Sequence, residues 1–270
     1  MLHSRIICSL LCLSFCTTLT QCSRTEYVTT IVQSASDGLD LKAVTDLATK
    51  SKSAEEFEKK LNTPNNKVNN LDLNEDDKVD FIKVTEIVTD SQRALSLTTE
   101  VAPGEEQELC TIQFEKDGDA ANVETRGNSQ VYGNNHYYHH HTGIGEILLW
   151  SYLWNAHSPY HSSWGWNRYP SYHNSYSPRS YDQYRGFHKN ASYSSNIKQN
   201  NYSSISKPVK SPNFNKSAQS IKAPLKNPTT SQRTFQARNP SRTVRSGGFG
   251  SARSGFSSSS RSGSSFGGGK

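Results

Sequence analysis

An acidic loop in the first half of the chain has the residue types and spacing of a calcium-binding loop. Within NNLDLNEDDKVDFIKV, an oxygen-bearing or basic residue recurs at every second position from residue 72 to residue 80. Calcium is a hard cation that takes about six to eight oxygen ligands, and alternate side chains on a tightly curled loop point toward one centre. Positions 1, 3, 5, 7 and 9 of such a loop fall on Asp72, Asn74, Asp76, Lys78 and Asp80, with Lys78 contributing its backbone carbonyl.

Two positions depart from the calcium-loop pattern and leave an alternative open. Position 6 carries Asp77 instead of the glycine that permits a sharp turn, and position 12 carries Lys83 instead of a bidentate glutamate. Glu86 replaces that glutamate only if the chain bends differently. The alternative is an aspartate-rich turn whose carboxylates accept hydrogen bonds from backbone amides. Calcium is the cofactor that this loop suggests.

A second candidate metal site is a histidine cluster in the segment at residues 128–189, which is rich in tyrosine, histidine and tryptophan. Neutral imidazoles bind zinc, copper and nickel, and neighbouring histidines in a flexible tract do so without a preformed site. The clustered side chains are those of His136, His139, His140 and His141. Nothing in their spacing fixes the geometry of a structural zinc site. The alternative is a polar, aromatic surface segment.

The region at residues 190–270 is predicted to be a disordered, basic tail. Residues 1–130 carry 13 basic and 22 acidic residues, whereas residues 131–270 carry 17 basic and 2 acidic residues. Serine, asparagine, glycine and arginine dominate the tail, and such a composition buries too little apolar surface to offset chain entropy. Candidate contacts to an anionic polymer or membrane surface are Arg242, Arg245, Arg253 and Arg261. The alternative is a solvated spacer, and no specific nucleic acid is expected as a partner.

The first 22 residues have the layout of an export signal. Arg5 provides a positive charge, residues 6–15 form an apolar run, and a mostly polar stretch follows. The apolar run is too short to span a membrane. The sequence LTQC at residues 19–22 resembles a bacterial lipobox, in which Cys22 carries the lipid, although Gln21 stands where a small residue is expected. Ordinary signal-peptidase cleavage nearby is the alternative to this lipid anchor.

Only two cysteines, Cys22 and Cys110, lie outside the segment that processing removes. If Cys22 carries lipid, Cys110 is a lone thiol in a predicted strand and behaves as a small buried hydrophobe. If Cys22 is free, Cys22 and Cys110 can form a disulfide in an oxidising compartment.

The elements that must hold the acidic loop are two helices before it and four strands after it. Asp40 precedes an apolar pattern of helical spacing, and Ser53 begins a capping-box sequence, so helices are predicted to start at residues 41 and 54. Strands are predicted over residues 79–87, 94–101, 109–114 and 121–126. The fold class is therefore α+β, with two helices followed by an antiparallel β-meander at residues 38–127, after a linker at residues 23–37.

The strongest apolar run in the second half of the chain, residues 144–154, predicts a short amphipathic helix. It is too short to span a bilayer. Packing onto the open face of the predicted sheet is preferred to the alternative, in which Trp150 and Trp154 lie at a membrane interface.

The order of the segments SAEEFEKKLN, NNLDLNEDDKVDFIKV and VYGNN resembles a family of uncharacterised exported bacterial proteins with an EF-hand-like loop. The resemblance extends over residues 38–135 and, in outline, the aromatic segment that follows. It implies a location in the cell envelope and a small non-enzymatic domain. It implies no established activity.

These features together predict an exported, non-enzymatic protein of the cell envelope or cell surface. The chain has no zinc-protease pattern and no serine-elbow pattern between a predicted strand and a predicted helix. The protein is expected to bind envelope components or other proteins, with calcium at its acidic loop. The alternatives are binding of zinc, nickel or copper by the histidine segment and binding of an anionic polymer by the arginine-rich tail.

Overall fold

The computed structural model describes residues 35–90, 92–133, 136–174 and 176–218. The predicted export signal with Cys22 and the four candidate arginines of the tail lie outside the described residues. All structural statements below concern the described ranges.

Two helices form at the predicted positions because side-chain oxygens cap their first turns. Helix α1 spans Leu41–Thr49, and the Asp40 carboxylate accepts hydrogen bonds from two backbone N–H groups of its first turn, at 2.7 and 3.1 Å. Helix α2 spans Ala54–Leu61, and Ser53 Oγ accepts a hydrogen bond from the Glu56 N–H at 3.1 Å. Both caps satisfy amides that have no partner within the helix.

The strands form one antiparallel sheet in which each strand pairs with the next along the chain. Their bounds are β1 Ile82–Val88, β2 Arg93–Ala102, β3 Glu105–Asp117, β4 Ala120–Gly127, β5 Tyr137–Gly143 and β6 Ile197–Asn200. The four predicted strands correspond to β1–β4, so the α+β class and the antiparallel meander are confirmed. Gly104 and Gly118 have φ of 76° and 60° in the tight turns that flank β3, a conformation in which glycine has no steric cost.

One face of the sheet, called here the apolar face, forms the core. Alternate residues of β1–β4 point to it, and they include Val84, Leu97, Ile112 and Val123, each at most 1% exposed. Helices α1 and α2 cover this face, and Thr45 Oγ1 of α1 donates a hydrogen bond at 2.7 Å to Thr125 Oγ1 of β4. Cys110 also lies in this core as a free, buried thiol.

The opposite face, called here the polar face, carries hydrogen-bonding side chains across five strands. The register pairs Thr85 with Ser96, Ser96 with Thr111, Gln113 with Glu124 and Glu124 with His139. Ser96, Gln113 and Glu124 are buried, with 0%, 7% and 4% of their surface exposed. They are buried because residues 202–218, called here the strap, cross this face.

The predicted domain boundary at residue 127 is wrong, because the described chain stays packed on the sheet to residue 218. Helix α3 spans Ser129–Tyr132, α4 spans Leu148–Trp154 and α5 spans Tyr181–Asn190, and β5 and β6 extend the sheet. The predicted disordered tail therefore does not begin at residue 190. Residues 190–218 contribute β6 and the strap, whereas residues 219–270 lie outside the described residues.

Helix α4 corresponds to the predicted short amphipathic helix. Leu149, Trp150 and Leu153 are buried in the core, so the interpretation in which this helix packs against the domain is confirmed. Trp154 stacks on Trp150 with ring centroids 3.8 Å apart.

Replacing Tyr184 with phenylalanine tests whether α5 belongs to the folded domain. The Tyr184 hydroxyl accepts a hydrogen bond from the Asp40 N–H at 2.9 Å and donates one to the Val68 carbonyl at 2.7 Å. Loss of this hydroxyl leaves two backbone groups without partners, so we expect Tyr184→Phe to lower the free energy of unfolding by about 2 kcal/mol in chemical denaturation. Tyr202→Phe is the matched control, because Tyr202 is 68% exposed. Equal stability of the two variants would contradict the prediction.

Candidate functional site

The acidic loop, residues 72–80, extends from a base that buried side chains and backbone pairing hold in place. Asn69 Nδ2 donates a hydrogen bond to the Asp80 carbonyl at 2.7 Å, and the Asp80 N–H donates one to the Leu71 carbonyl at 2.7 Å. Leu71 and Leu73 are 1% and 2% exposed in the core. The two ends of the loop therefore lie side by side, and the residues between them must turn back on themselves.

The loop curls around the carboxylate of Asp72. Asp72 Oδ1 and Oδ2 accept hydrogen bonds from the N–H groups of Asp76 and Asp77, at 3.1 and 3.0 Å. Asn74 Oδ1 accepts from the Asp76 N–H at 3.3 Å, and Asp76 Oδ1 accepts from the Lys78 N–H at 3.0 Å. These turns direct the first three side chains of the calcium-loop alignment to the inside of the curl.

The missing glycine at position 6 does not prevent the sharp turn. Asp77 has φ of 61° and Glu75 has φ of 58°, so both lie in the left-handed region. Aspartate tolerates this conformation better than most residues because its short polar side chain bonds locally to the backbone. The first departure from the calcium-loop pattern is therefore accommodated by the fold.

The missing glutamate at position 12 is not replaced. Lys83 lies on β1, where its ammonium group forms ion pairs with Glu106 and, at 3.6 Å, with Glu100. Glu86, the other residue considered for this role, is held on the apolar face, where His157 Nε2 lies 2.9 Å from its Oε2. Of the predicted loop ligands, the fold brings together residues 72–80 and directs residues 83 and 86 elsewhere.

The negative charges of the loop lie close enough to one another to affect the pKa of Asp72 and of the buried Asp80. Burial raises the pKa of Asp80 to about 8, and the negative charges of Asp72 and Asp76 add to this effect. Burial, together with the charge of Asp76, raises the pKa of Asp72 to about 6, although backbone hydrogen bonds oppose the shift. A cation bound within the loop would relieve the repulsion that these shifts reflect.

The loop therefore fits calcium in its backbone turns and falls short in its ligand set. In the described part of the chain, no group of three or more histidine, cysteine, aspartate or glutamate side chains is arranged to hold a metal ion. The side chains of Asp72, Asn74, Asp76 and Asp80 and the carbonyl of Lys78 would hold calcium only after moving closer together.

The predicted histidine cluster is divided between two faces of β5. His139 and His141 lie on the polar face, where His139 is within 3.4 Å of Glu124 and His141 within 2.8 Å of Asn122. His140 lies on the opposite face, and burial lowers its pKa. Burial also lowers the pKa of His136, which precedes the strand. Because side chains alternate along a strand, these four histidines do not form one metal site.

Sequence reasoning did not identify a pair formed by the buried Glu86 and the more exposed His157 at the edge of the sheet. Glu86 has no exposed side-chain surface, and it also accepts a hydrogen bond from the Tyr160 N–H at 3.0 Å. A hydrogen bond to Glu86 is the main cause of the raised pKa of His157. The two residues are 71 positions apart, so no local pattern could have revealed the pair.

No protein-family model, curated protein or solved structure matches this chain. The resemblance to exported bacterial proteins with an EF-hand-like loop therefore remains a prediction. None of the helices within residues 35–218 that the structure describes is long and apolar enough to cross a membrane.

The raised pKa of Asp80 predicts a pH-dependent loss of stability. A carboxyl whose pKa is higher in the folded state binds its proton more tightly there, so the folded state loses stability as the pH rises toward the folded pKa. In a chelating buffer we expect Asp80→Asn to raise the thermal midpoint by about 5 °C or more at pH 8, and to leave it nearly unchanged at about pH 4.

Asp90→Asn is the matched control, because it removes one negative charge from an exposed position. If it stabilised the protein at pH 8 as much as Asp80→Asn, overall charge rather than burial in the loop would be responsible.

Proposed function

We propose that this chain is an exported, non-enzymatic protein of the cell envelope or cell surface, and that its acidic loop binds calcium. The observation that carries the calcium proposal is the curl of the loop around Asp72, with Asp76 and the buried Asp80 close to it. Calcium would supply there a positive charge that offsets the repulsion among these carboxylates.

A calcium ion in this loop would act on structure rather than on a reaction. The loop connects the helical layer to β1, and its base contains the buried side chains of Leu71 and Leu73. Drawing the carboxylates together would reduce the mobility of this connection and stabilise the adjacent edge of the sheet. Extracellular calcium modules typically bind with Kd of roughly 10⁻⁴–10⁻³ M, a range that suits a loop without the bidentate glutamate.

The export proposal is supported by the layout of the first 22 residues, with a positive residue, a short apolar run and a candidate lipid-accepting cysteine at residue 22.

A second proposal concerns the arginine-rich tail, which would bind an anionic polymer or membrane surface through Arg242, Arg245, Arg253 and Arg261. The observation favouring it is the excess of 17 basic over 2 acidic residues in positions 131–270. Exposed cationic segments bind polyanions with an affinity that falls as salt rises.

Calcium is expected to raise the thermal stability of the mature chain. At about tenfold excess over Kd, a ligand that binds only the folded state contributes about 1.4 kcal/mol, which corresponds to roughly 3–5 °C for a domain of this size. We expect this rise with calcium at about 10 mM, and we expect Asp76→Asn to abolish it.

Asp90→Asn, on the exposed turn after β1, should retain the full calcium response. An unchanged midpoint in the unsubstituted chain, or an equal rise with magnesium or sodium at matched ionic strength, would remove the calcium proposal.

The mature N-terminus tests the proposal of export. Mass spectrometry of the protein from its native host is expected to find a chain that lacks the first 21 or so residues, with Cys22 as its lipid-bearing first residue. Cys22→Ser should then release the protein from the membrane fraction. Recovery of the intact, unprocessed chain from the cytosol would contradict export, whereas a processed chain with unmodified Cys22 would contradict only the lipid anchor.

A further inference from the structure

The polar face of the sheet binds the strap through the backbone of the strap and through its hydroxyl side chains, including those of Ser203 and Ser211. The Glu124 carboxylate accepts a hydrogen bond from the Ser204 N–H at 2.7 Å and from the next N–H at 3.3 Å. The side-chain amide of Gln113 donates to the Lys207 carbonyl at 2.9 Å and accepts from the Val209 N–H at 2.8 Å. The backbone contacts can be made by any segment that follows the same path, whereas the hydroxyl contacts depend on the residue present.

Two apolar side chains anchor the strap. Ile205 and Val209 are 5% and 8% exposed, and they are separated by four positions. Pro208 lies between them, where its fixed φ limits the paths that the chain can take. The determinants of this site are therefore two aliphatic side chains at a spacing of four, a proline before the second one, and the backbone groups that contact Glu124 and Gln113. The hydroxyls of Ser204 and Ser211 add hydrogen bonds to Glu124 and Ser96.

The two aliphatic positions, the proline and the first serine occur a second time in the chain, sixteen positions later. Residues 204–212 read SISKPVKSP, and residues 220–228 read SIKAPLKNP. Five of the nine positions are identical, and the sixth match is Val209 with Leu225, both aliphatic. The first copy is called here motif 1 and the second copy motif 2. Motif 2 lies outside the described residues.

The positions at which the two motifs differ are compatible with the same site. Lys207 contributes its carbonyl to the contact with Gln113, which Ala223 of motif 2 also possesses. Ser206 Oγ donates a hydrogen bond to Glu115 at 2.6 Å, and the corresponding Lys222 would bring a positive charge to that carboxylate. Neither of these two substitutions introduces a group that the polar face would leave buried without a partner. At the third differing position, the buried Ser211 donates a hydrogen bond to Ser96 Oγ at 3.1 Å, and the side-chain amide of the corresponding Asn227 is also a donor.

Each chain therefore has one site of this kind in its described residues and two motifs that match it. We propose that the polar face of the sheet is an exchangeable binding site, and that motif 2 of a second copy of this chain occupies it when motif 1 is released. The domain of one molecule thus binds the tail of the next. Reciprocal exchange between two copies gives a closed dimer, as in domain swapping, and exchange with successive copies gives a longer chain of molecules.

Motif 1 competes with this exchange because it belongs to the same chain as the site. Its effective concentration is on the order of millimolar for a short tether, so exchange requires a high local concentration of protein. Dense packing on a surface would provide this condition. The inference is independent of calcium, because none of the groups that contact motif 1 belongs to the acidic loop.

A peptide-binding measurement tests the specificity of the site. The probe is a synthetic peptide of residues 218–230 with a fluorescent label, and the protein is the full mature chain. The variant Ile205→Ser with Val209→Ser weakens motif 1, and we expect it to bind the probe at least about tenfold more tightly than the unsubstituted chain does. A probe with Ile221→Asp and Leu225→Asp is expected not to bind. Equal binding of both probes would overturn the proposal.

A cross-linking experiment tests the same proposal without disturbing motif 1. A photoreactive amino acid replaces Lys222 in one preparation of the full chain, and the second preparation carries nitrogen-15. After mixing at high concentration, we expect cross-links that join residue 222 of the unlabelled chain to residues 113–115 of the labelled one.

The cross-linking outcome also identifies the partner. Cross-links confined to the same chain would show that motif 2 exchanges only within one molecule, and they would overturn the proposed assembly. Absence of cross-links to the polar face would overturn the site itself. The matched control in sedimentation velocity is Phe249→Asp with Phe256→Asp, which should leave association unchanged, whereas Ile221→Asp with Leu225→Asp should abolish it.

Discussion

The structure depends on the need of buried carboxylates and amides to find hydrogen-bond partners. Glu58 on α2, Glu86 on β1 and Glu124 on β4 are 0%, 3% and 4% exposed. A buried acceptor without a partner costs about 1–3 kcal/mol. The partners that the strands cannot provide come from later in the chain: Tyr160 for Glu58, His157 for Glu86 and Ser203 with Ser204 for Glu124. The buried polar groups in the first half of the chain thus depend on the second half for hydrogen-bond partners.

The same requirement is met differently at two acidic positions near β1. At Glu106, burial acts to raise the pKa, but hydrogen bonds and charge from Lys216 and Lys83 outweigh it and hold the pKa below its ordinary value. Lys83 replaces the last glutamate of the calcium-loop pattern, and it neutralises Glu106 on the sheet rather than a carboxylate of the loop. The Asp80 carboxylate instead accepts a hydrogen bond from the Leu73 N–H at 2.7 Å, a backbone amide that carries no net charge.

The two faces of the sheet consequently have different properties. On the apolar face, α1, α2 and α4 contribute side chains whose shape fits a particular core, and packing of this kind tolerates few replacements. On the polar face, Gln113 contacts the backbone of the strap, and Glu124 contacts both its backbone and the hydroxyls of Ser203 and Ser204. Recognition therefore depends on spacing, on these small polar side chains and on two aliphatic anchors. Exchange of one segment for another is therefore easier on the polar face than on the apolar face.

The sequence by itself determined the features that depend on local spacing. The caps at Asp40 and Ser53, the four strands of the meander, the curl of the acidic loop and the packed helix at residues 148–154 all follow from patterns within a few residues of one another. Tertiary structure alone decided the rest. The composition of residues 128–218 indicated a segment without a core, but these residues fold because β1–β4 offer buried polar groups to bind. Tertiary structure also divided the histidines between two faces and directed Lys83 away from the loop. Local sequence patterns do not reveal such contacts, because the residues involved are tens of positions apart.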